Sequence, residues 1–216
     1  MTRTPTTQIH NARIAQSAEI AALIRTMYGL SPNSDSMQPM HIAHHIRQFP
    51  KGQFVALQDG RVVGLALTML THLDPDHEPL PWMKMIGGYA VNNHKSAGEW
   101  LYGIDFGVHP DYRKQGIGSK LYRARFELVR RLDLRGFYAG GMLMGYRHYH
   151  TQMTPREYGE QVIRGDIKDP TVTMQMNRGF RACNVIPHYT TDPVPYNSAM
   201  LIVWDNPAYE ALSIAV

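Results

Sequence analysis

The sequence predicts an α+β fold, a mixed and mostly antiparallel central sheet flanked by helices. Three observations lead to this class: helical patterns precede a strand pair, a strand–helix–strand unit occupies the middle, and two strand patterns follow the last helix. A length of 216 residues suits one domain with insertions. We therefore expect 1–216 to form a single domain, with insertions at about 71–99 and 146–168.

The first part of the chain reads as two helices followed by a hairpin. Apolar residues recur at helical spacing in 18–28, and a second short helical pattern, 40–49, ends before a proline. Two apolar runs, 54–57 and 62–70, flank Asp59-Gly60, a dipeptide typical of tight turns between antiparallel strands. These elements predict helices packed beside an antiparallel pair.

In the central strand, 101–108, large apolar residues alternate with small or acidic ones, and this pattern matters for function. Simple alternation places four large apolar residues on one face, Tyr102, Ile104, Phe106 and Val108. The opposite face would then carry Gly103, Asp105 and Gly107 and be nearly bare. Such a face leaves room for a ligand along the backbone, although glycines can also mark a bulge.

The second half continues with a basic amphipathic helix from Gly116 to the residue before Gly136. We expect the remaining elements to be strands 137–144, 182–186 and 199–204 and helices 156–163 and 170–178. The irregular segment 71–99 is either a plain surface insertion or part of a site for the accepting substrate.

Charge and composition narrow the function class. The net charge is +4, but 113–135 holds eight Lys or Arg against two acids, a local balance of +6. Such a segment is a solvated helix face or the footprint of an anionic ligand. No apolar stretch approaches the length of a membrane helix, no secretory signal is recognisable, and Cys183 is the single cysteine, so we expect a cytoplasmic protein.

The most informative motif follows the central strand directly, Arg113-x-x-Gly116-x-Gly118 at the start of a helix. Unpaired backbone N–H groups and the positive end of the helix dipole meet there, and glycines let a phosphate approach the main chain. A P-loop would need Gly-Lys-Ser/Thr, and a dinucleotide fingerprint would need a small residue at Leu121. The alternative is a glycine turn that only starts a helix.

With this motif the sequence resembles the GNAT superfamily of N-acetyltransferases, in which Arg/Gln-x-x-Gly-x-Gly/Ala follows a strand ending in Val-x-Pro. Here the strand end is Val108-His109-Pro110, and Arg178-Gly179-Phe180 is similar to the family's Gly-Phe after its last helix. The C-terminal part, with Tyr189, Asp192 and 201–207, also resembles GNAT modules fused to nitrilase-like amidohydrolases.

The resemblance implies acetyl-CoA as co-substrate, with its pyrophosphate on the amides of Gln115 to Ser119. Its pantetheine arm would pair with the strand backbone at Phe106 to Val108. The implied cofactor-binding residues are Phe106, Gly107, Val108, Arg113, Lys114, Gln115, Gly116, Ile117, Gly118 and Ser119.

In the family the amine attacks the thioester directly, so a base and a donor to the leaving thiolate are required. Asp105 is one candidate base, or a structural carboxylate, and His109 is another, or a residue that shapes the turn. Many relatives place a tyrosine four residues before Gly-Phe, where this chain has Gln175. Tyr146, with Tyr149, is the substitute acid suggested by the sequence.

Two other function classes remain open. One is a non-catalytic module that binds acyl-CoA as a sensor or regulatory subunit. Nucleic-acid binding through the basic segment is disfavoured because exposed aromatic residues are not interleaved with it. The histidines, among them His41, His44 and His45, lack a metal-binding motif, so we expect no metal. The acceptor would be a small-molecule or peptide amine, the acyl group acetyl or longer, and the chain could form a homodimer.

Overall fold

The computed structural model describes residues 6–31, 34–76, 79–191 and 197–209. Its strands are β1 (Gln8–Asn11), β2 (Phe54–Gln58), β3 (Arg61–Thr71), β4 (Trp100–Val108), β5 (Gly136–Met142), β6 (Arg181–Ile186) and β7 (Ala199–Asp205). Its helices are α1 (Ser17–Tyr28), α2 (Pro39–Gln48), α3 (Trp82–Ile86), α4 (Ile117–Arg131), α5 (Pro155–Arg164) and α6 (Val172–Met176).

The strands form one seven-stranded sheet in the order β1-β2-β3-β4-β5-β7-β6. Every neighbouring pair is antiparallel except β4 and β5, which are parallel and joined through α4. This arrangement confirms the predicted α+β class with a mixed, mostly antiparallel sheet.

Helices cover both faces of the sheet and divide the core into two clusters. The first cluster joins α1 and α2 to one face through residues such as Ile20, Ile42 and Leu65. The second joins α4, α5 and α6 to the other face, where Leu121 and Tyr158 are fully buried. In α4, Ile117, Leu121 and Leu128 lie at spacings of four and seven, so they share the side that faces the sheet.

A β-bulge in β4 changes which side chains share a face. Leu67 of β3 pairs with Asp105 and Thr68 pairs with Gly103, so Ile104 is an extra residue without a partner. Tyr102 and Ile104 therefore lie on the α1 side, whereas Phe106 and Val108 pack on the α4 side. The prediction that these four residues share one face was wrong because alternation does not survive a bulge.

The bare face predicted for β4 is also absent. A Cβ on Gly103 would lie 3.1 Å from that of Ala139 on the α4 side, whereas a Cβ on Gly107 would collide with Met27 Sδ on the α1 side. The glycines thus allow close packing against two different neighbours. β1 was not predicted, and Asp192 lies outside the described residues.

Candidate functional site

The parallel strands β4 and β5 separate part of the way along their length. Their pairing ends at Tyr102 and Tyr138, although β4 continues to Val108 and β5 to Met142. Above that point the edge of β4 that faces β5 has no ladder partner among the described strands. An extended group of a ligand can therefore hydrogen-bond to that edge.

The turn between β4 and α4 lies at the open end of this gap. Lys114 has φ of 62° and Gly116 has φ of 77°, so the chain passes twice through the left-handed region before the helix begins. A Cβ on Gly116 would meet nothing within 4 Å, and Gln115 and Ser119 are exposed. Buried Ile117 anchors the first turn of the helix.

This geometry leaves backbone donors unpaired at an exposed turn. The N–H groups of the first turn of α4, at Ile117, Gly118 and Ser119, have no intrahelical acceptor, and the positive end of the helix dipole coincides with them. Because α4 is 15 residues long and the turn is exposed, these donors are available to a phosphate.

Cationic side chains surround the turn. Arg113 Nε donates to the Val108 carbonyl at 3.2 Å, and Lys120 Nζ donates to the Thr7 carbonyl at 2.9 Å. Arg178, next to α6, donates from Nη2 to the Ser119 hydroxyl at 3.0 Å. Within the described ranges, none of these three cations forms an ion pair with a carboxylate.

Asp105 lies on the opposite side of β4, beside the last turn of α1. Its Oδ1 accepts hydrogen bonds from the Tyr28 hydroxyl and from the Phe106 amide, each at 2.7 Å. Burial raises the pKa of Asp105 to about 6, against these two hydrogen bonds, which lower it. A carboxyl group with such a pKa can exchange a proton near neutral pH. Tyr28 was not identified from the sequence.

The other two catalytic candidates lie in different surroundings. His109 follows β4, its Nδ1 accepts the Asp111 amide hydrogen at 3.3 Å, and its ring meets Tyr112 edge-on, so it caps the turn. Tyr146 is buried, and its hydroxyl donates to the Met153 carbonyl at 2.9 Å. The structure brings Asp105 and His109 to the same strand end but places Tyr146 among the residues that follow β5.

Tyr122, Arg125 and Gln175 fill the α4 side of the gap, and of these three the sequence pattern points only to Gln175. Gln175 Nε2 donates to the Tyr122 hydroxyl at 3.1 Å, and the Arg125 guanidinium carbon lies 4.2 Å from the Tyr122 ring centroid. The amphipathic pattern of α4 predicts its basic residues on the side away from the sheet, whereas Arg125 is buried. A signal was nevertheless present, because Arg125 follows Leu121 by four residues and so shares its inward side.

A pocket of about 250 Å³ opens on the α1 side of the sheet, next to the point where β4 and β5 separate. Its walls are predominantly apolar and include Leu73, Leu80, Tyr102, Tyr138 and Leu201. Asp74, the charged residue of its lining, pairs with Arg135 at 3.4 Å. The pocket therefore suits an uncharged group.

Two further findings concern the described part of the chain. No three or more His, Cys, Asp or Glu residues there are arranged to hold a metal ion. None of its helices combines the length and apolar character needed to cross a membrane.

Comparison with known proteins identifies a family and two bacterial relatives. The Acetyltransferase (GNAT) family matches residues 18–142. The chain is 33% identical over 198 residues to the probable hydrolase YhcX of Bacillus subtilis, covering 91% of this chain but 39% of that protein. It is 30% identical to the uncharacterized N-acetyltransferase YkwB of the same organism, covering 80% of this chain and 76% of that one.

Solved structures share the fold at low sequence identity. The loading GNATL domain of CurA from Lyngbya majuscula superposes with a TM-score of 0.78 at 16% identity, covering 93% of this chain and 98% of that one. The GphF GNAT-like decarboxylase in complex with isobutyryl-CoA superposes with a TM-score of 0.73 at 18% identity, covering 92% of this chain and 99% of that one. YncA of Salmonella typhimurium, solved with its cofactor acetyl-CoA, superposes with a TM-score of 0.54 at 14% identity, covering 95% of this chain and 96% of that one.

Proposed function

The chain belongs to the acetyltransferase (GNAT) family, and on that premise we propose that it transfers an acetyl group from acetyl-CoA to a primary amine by direct attack. The observation that carries the proposal is the exposed turn 113–119 at the open end of the gap between β4 and β5. Two left-handed residues and a free helix start form a cradle for a diphosphate there.

The residues around the turn suit acetyl-CoA in charge and shape. The pyrophosphate would accept hydrogen bonds from the amides of Gln115 to Ser119, with open space above Gly116. Arg113, Lys114 and Arg178 would supply positive charge to the phosphates. The pantetheine arm, which carries amide groups, would pair with the β4 edge at Phe106 to Val108, where the ladder to β5 has ended.

Asp105 is the proposed base. The amine must lose its proton as it attacks the thioester carbonyl, and the pKa of Asp105, raised by burial to about 6, suits a carboxylate that accepts this proton directly or through water. Tyr28 fixes the orientation of the carboxylate through its hydrogen bond. His109 is assigned to the turn in this proposal, since its Nδ1 already accepts the Asp111 amide.

The accepting amine would approach from the α1 side, where Asp105 and the apolar pocket lie. YkwB is named as an N-acetyltransferase, which supports acetyl transfer to nitrogen for this chain. YhcX is named a probable hydrolase, and this chain covers 39% of its length.

Thermal unfolding with acetyl-CoA, CoA and ATP tests the cofactor site, using Gly116→Glu as the disrupting variant. A ligand at about 100 times its Kd adds roughly 2.7 kcal/mol of stability, which is about 5 to 10 °C for a chain of this size. We expect this shift with both CoA forms, little with ATP, and none in Gly116→Glu, because the new side chain would occupy the phosphate site.

Gly165→Glu is the matched control for backbone strain. Gly165 also has positive φ, 84°, and open space at its Cβ position, but it caps the C-terminus of α5. The Gly165→Glu variant should lose a similar amount of stability but keep the rise in melting temperature with CoA. An unchanged melting temperature of the wild type at millimolar CoA would contradict the proposal, and a shift would justify screening amines for CoA release.

A further inference from the structure

A buried guanidinium without an anionic partner lies behind the proposed CoA site. Arg125 is 2% exposed, and its guanidinium carbon lies 4.2, 4.4 and 4.8 Å from the ring centroids of Tyr122, Phe106 and Phe137. Burial lowers the pKa of Arg125 to about 10, so it stays charged at neutral pH. Among the described residues no carboxylate lies within ion-pair distance of it, and Nη2 has no hydrogen-bond partner.

Gln175 and Tyr122 add two more incompletely used polar groups. Gln175 is 6% exposed, and its buried Oε1 lacks a partner in the described structure. Its Nε2 donates to the Tyr122 oxygen at 3.1 Å. Because that oxygen acts as acceptor, the hydroxyl hydrogen of Tyr122 remains for a further acceptor. The guanidinium of Arg125 and the hydroxyl of Tyr122 thus each keep an unused donor, and Gln175 lies beside them with an unused amide oxygen.

The cluster lies across the gap between β4 and β5. The Tyr122 ring centroid is 4.7 Å from that of Phe106 on β4, and Gln175 Oε1 occupies the space that a Cβ on Gly141 of β5 would need. Arg178 connects the cluster to the phosphate turn, since it binds the Ser119 hydroxyl and lies 5.2 Å from the Tyr122 ring. The cluster is therefore placed where the pantetheine arm would end.

Burying an unpaired cation is unfavourable, and contacts with three aromatic rings offset only part of that cost. A ligand that brings negative charge removes the remaining cost. CoA chemistry supplies such a charge at this place, because breaking the thioester leaves an electron pair on sulfur. Preorganised donors directed at that atom stabilise the charge as it forms.

We propose that Arg125, Tyr122 and Gln175 form the binding site of the CoA sulfur and stabilise the leaving thiolate. The assignment rests on the proposed function. The amine nitrogen forms its bond to the carbonyl carbon, the C–S bond breaks, and its electron pair stays on sulfur opposite Arg125 and the Tyr122 hydroxyl. The proton of the amine goes to Asp105, on the other side of β4. Gln175 is a positioning residue that holds the Tyr122 oxygen.

The test is the ionisation of CoA bound to the protein, which needs no accepting amine. The ultraviolet absorbance of the thiolate is followed against pH, with the S-methyl-CoA complex as baseline for the protein's own groups. In the wild type we expect the pKa of the CoA thiol to lie at least about one unit below that of free CoA, a ten-fold larger ionised fraction at low pH.

Arg125→Met keeps an unbranched, flexible stem and removes the guanidinium with its charge, so the pKa of the bound thiol should return to that of free CoA. Tyr122→Phe removes one hydroxyl and should move the pKa of the bound thiol part of the way back to that of free CoA. If Arg125→Met does not fold, the titration of Tyr122→Phe tests the proposal. Arg123→Met is the control, because Arg123 is exposed on the same helix and should leave the titration unchanged.

Two results would overturn the assignment while leaving the proposed function intact: bound CoA that titrates like free CoA, or a lowered thiol pKa that persists in Arg125→Met. A wild-type protein that does not bind CoA at all would instead contradict the proposed function, and this assignment with it.

Discussion

Asp105 is held in surroundings that disfavour its charged form, and this has a consequence for stability that is independent of catalysis. Its pKa is about 6 in the folded chain, above the ordinary value of about 4. The folded state therefore favours the protonated form. The corresponding stabilisation is complete below about pH 4 and is lost as pH rises to about 6.

Asp105→Asn should therefore stabilise the protein at neutral pH. The amide oxygen still accepts from Tyr28 and from the Phe106 amide, and no charge has to be buried. Because the group is only partly buried, we expect a gain of about 1 kcal/mol, or 2 to 4 °C in Tm, at pH 8. The gain should vanish near pH 4. Calorimetry across this range measures it.

The control is Asp111→Asn, whose side chain is 83% exposed and should change Tm little at any pH. An Asp105→Asn variant that is no more stable than the wild type at pH 8 would show that the carboxylate is well solvated. Its role as a base with raised pKa would then lose its physical support.

At the scale of elements, sequence patterns located most helices and strands, but they offered the bulge in β4 only as the alternative to a bare face and did not place it. Helix 18–28, the hairpin around Asp59-Gly60 and the start of α4 follow from apolar periodicity and turn residues, which are local. The position of the bulge depends on the register in which β3 pairs with β4, and that register cannot be predicted from the sequence of one strand alone. The alternation therefore predicts correctly that Asp105 and Phe106 lie on opposite faces of β4, but it places Gly103 on the wrong face.

The inward position of Gln175 is likewise not predictable from the sequence pattern, since it depends on how α6 is held against the rest of the fold. That attachment is made by Asp169, which is 1% exposed. Its Oδ2 accepts from the Gly145 amide at 2.8 Å and the Tyr158 hydroxyl at 3.0 Å. Its Oδ1 accepts from the amides of Thr171 and Val172 at the start of α6. One carboxylate thus joins the end of β5, α5 and α6.

Asp169→Ala should lower the free energy of unfolding by about 3 kcal/mol or more, because it leaves several buried donors without an acceptor. Urea denaturation measures the change. Asp166→Ala is the control: Asp166 pairs with Arg164 on the surface, with both side chains more than half exposed, and should cost less than about 1 kcal/mol. Equal losses would mean that α6 is held by packing rather than by this carboxylate.

At the scale of the whole molecule, β4 separates two chemical environments. Asp105 and the apolar pocket lie on the side covered by α1, whereas the phosphate turn and Arg125 lie on the side covered by α4. In the proposed reaction the proton and the departing charge would leave on opposite sides of one strand.

Charge is distributed over the molecule just as unevenly. Of the ion pairs in the described part of the chain, Arg135–Asp74 is the one that uses a cation from 113–135. The seven other cations of that segment therefore leave a positive field along α4 and at the turn before it, while the rest of the chain is slightly acidic. Such a field attracts a polyanion before contact and is screened by salt.

The association rate of CoA should consequently fall about ten-fold or more when NaCl rises from ~0.05 to ~0.5 M, as the screening length drops to a few ångströms. Pantetheine, which carries no phosphates, should bind with little salt dependence. Lys114→Gln, in the turn, should flatten the response to CoA, whereas Arg156→Gln, an exposed residue of α5, should not. Stopped-flow binding measures all four cases. A salt response that is the same for pantetheine and CoA would mean that the field of 113–135 does not guide the phosphates, and binding would then have to be attributed to the short-range contacts of the turn.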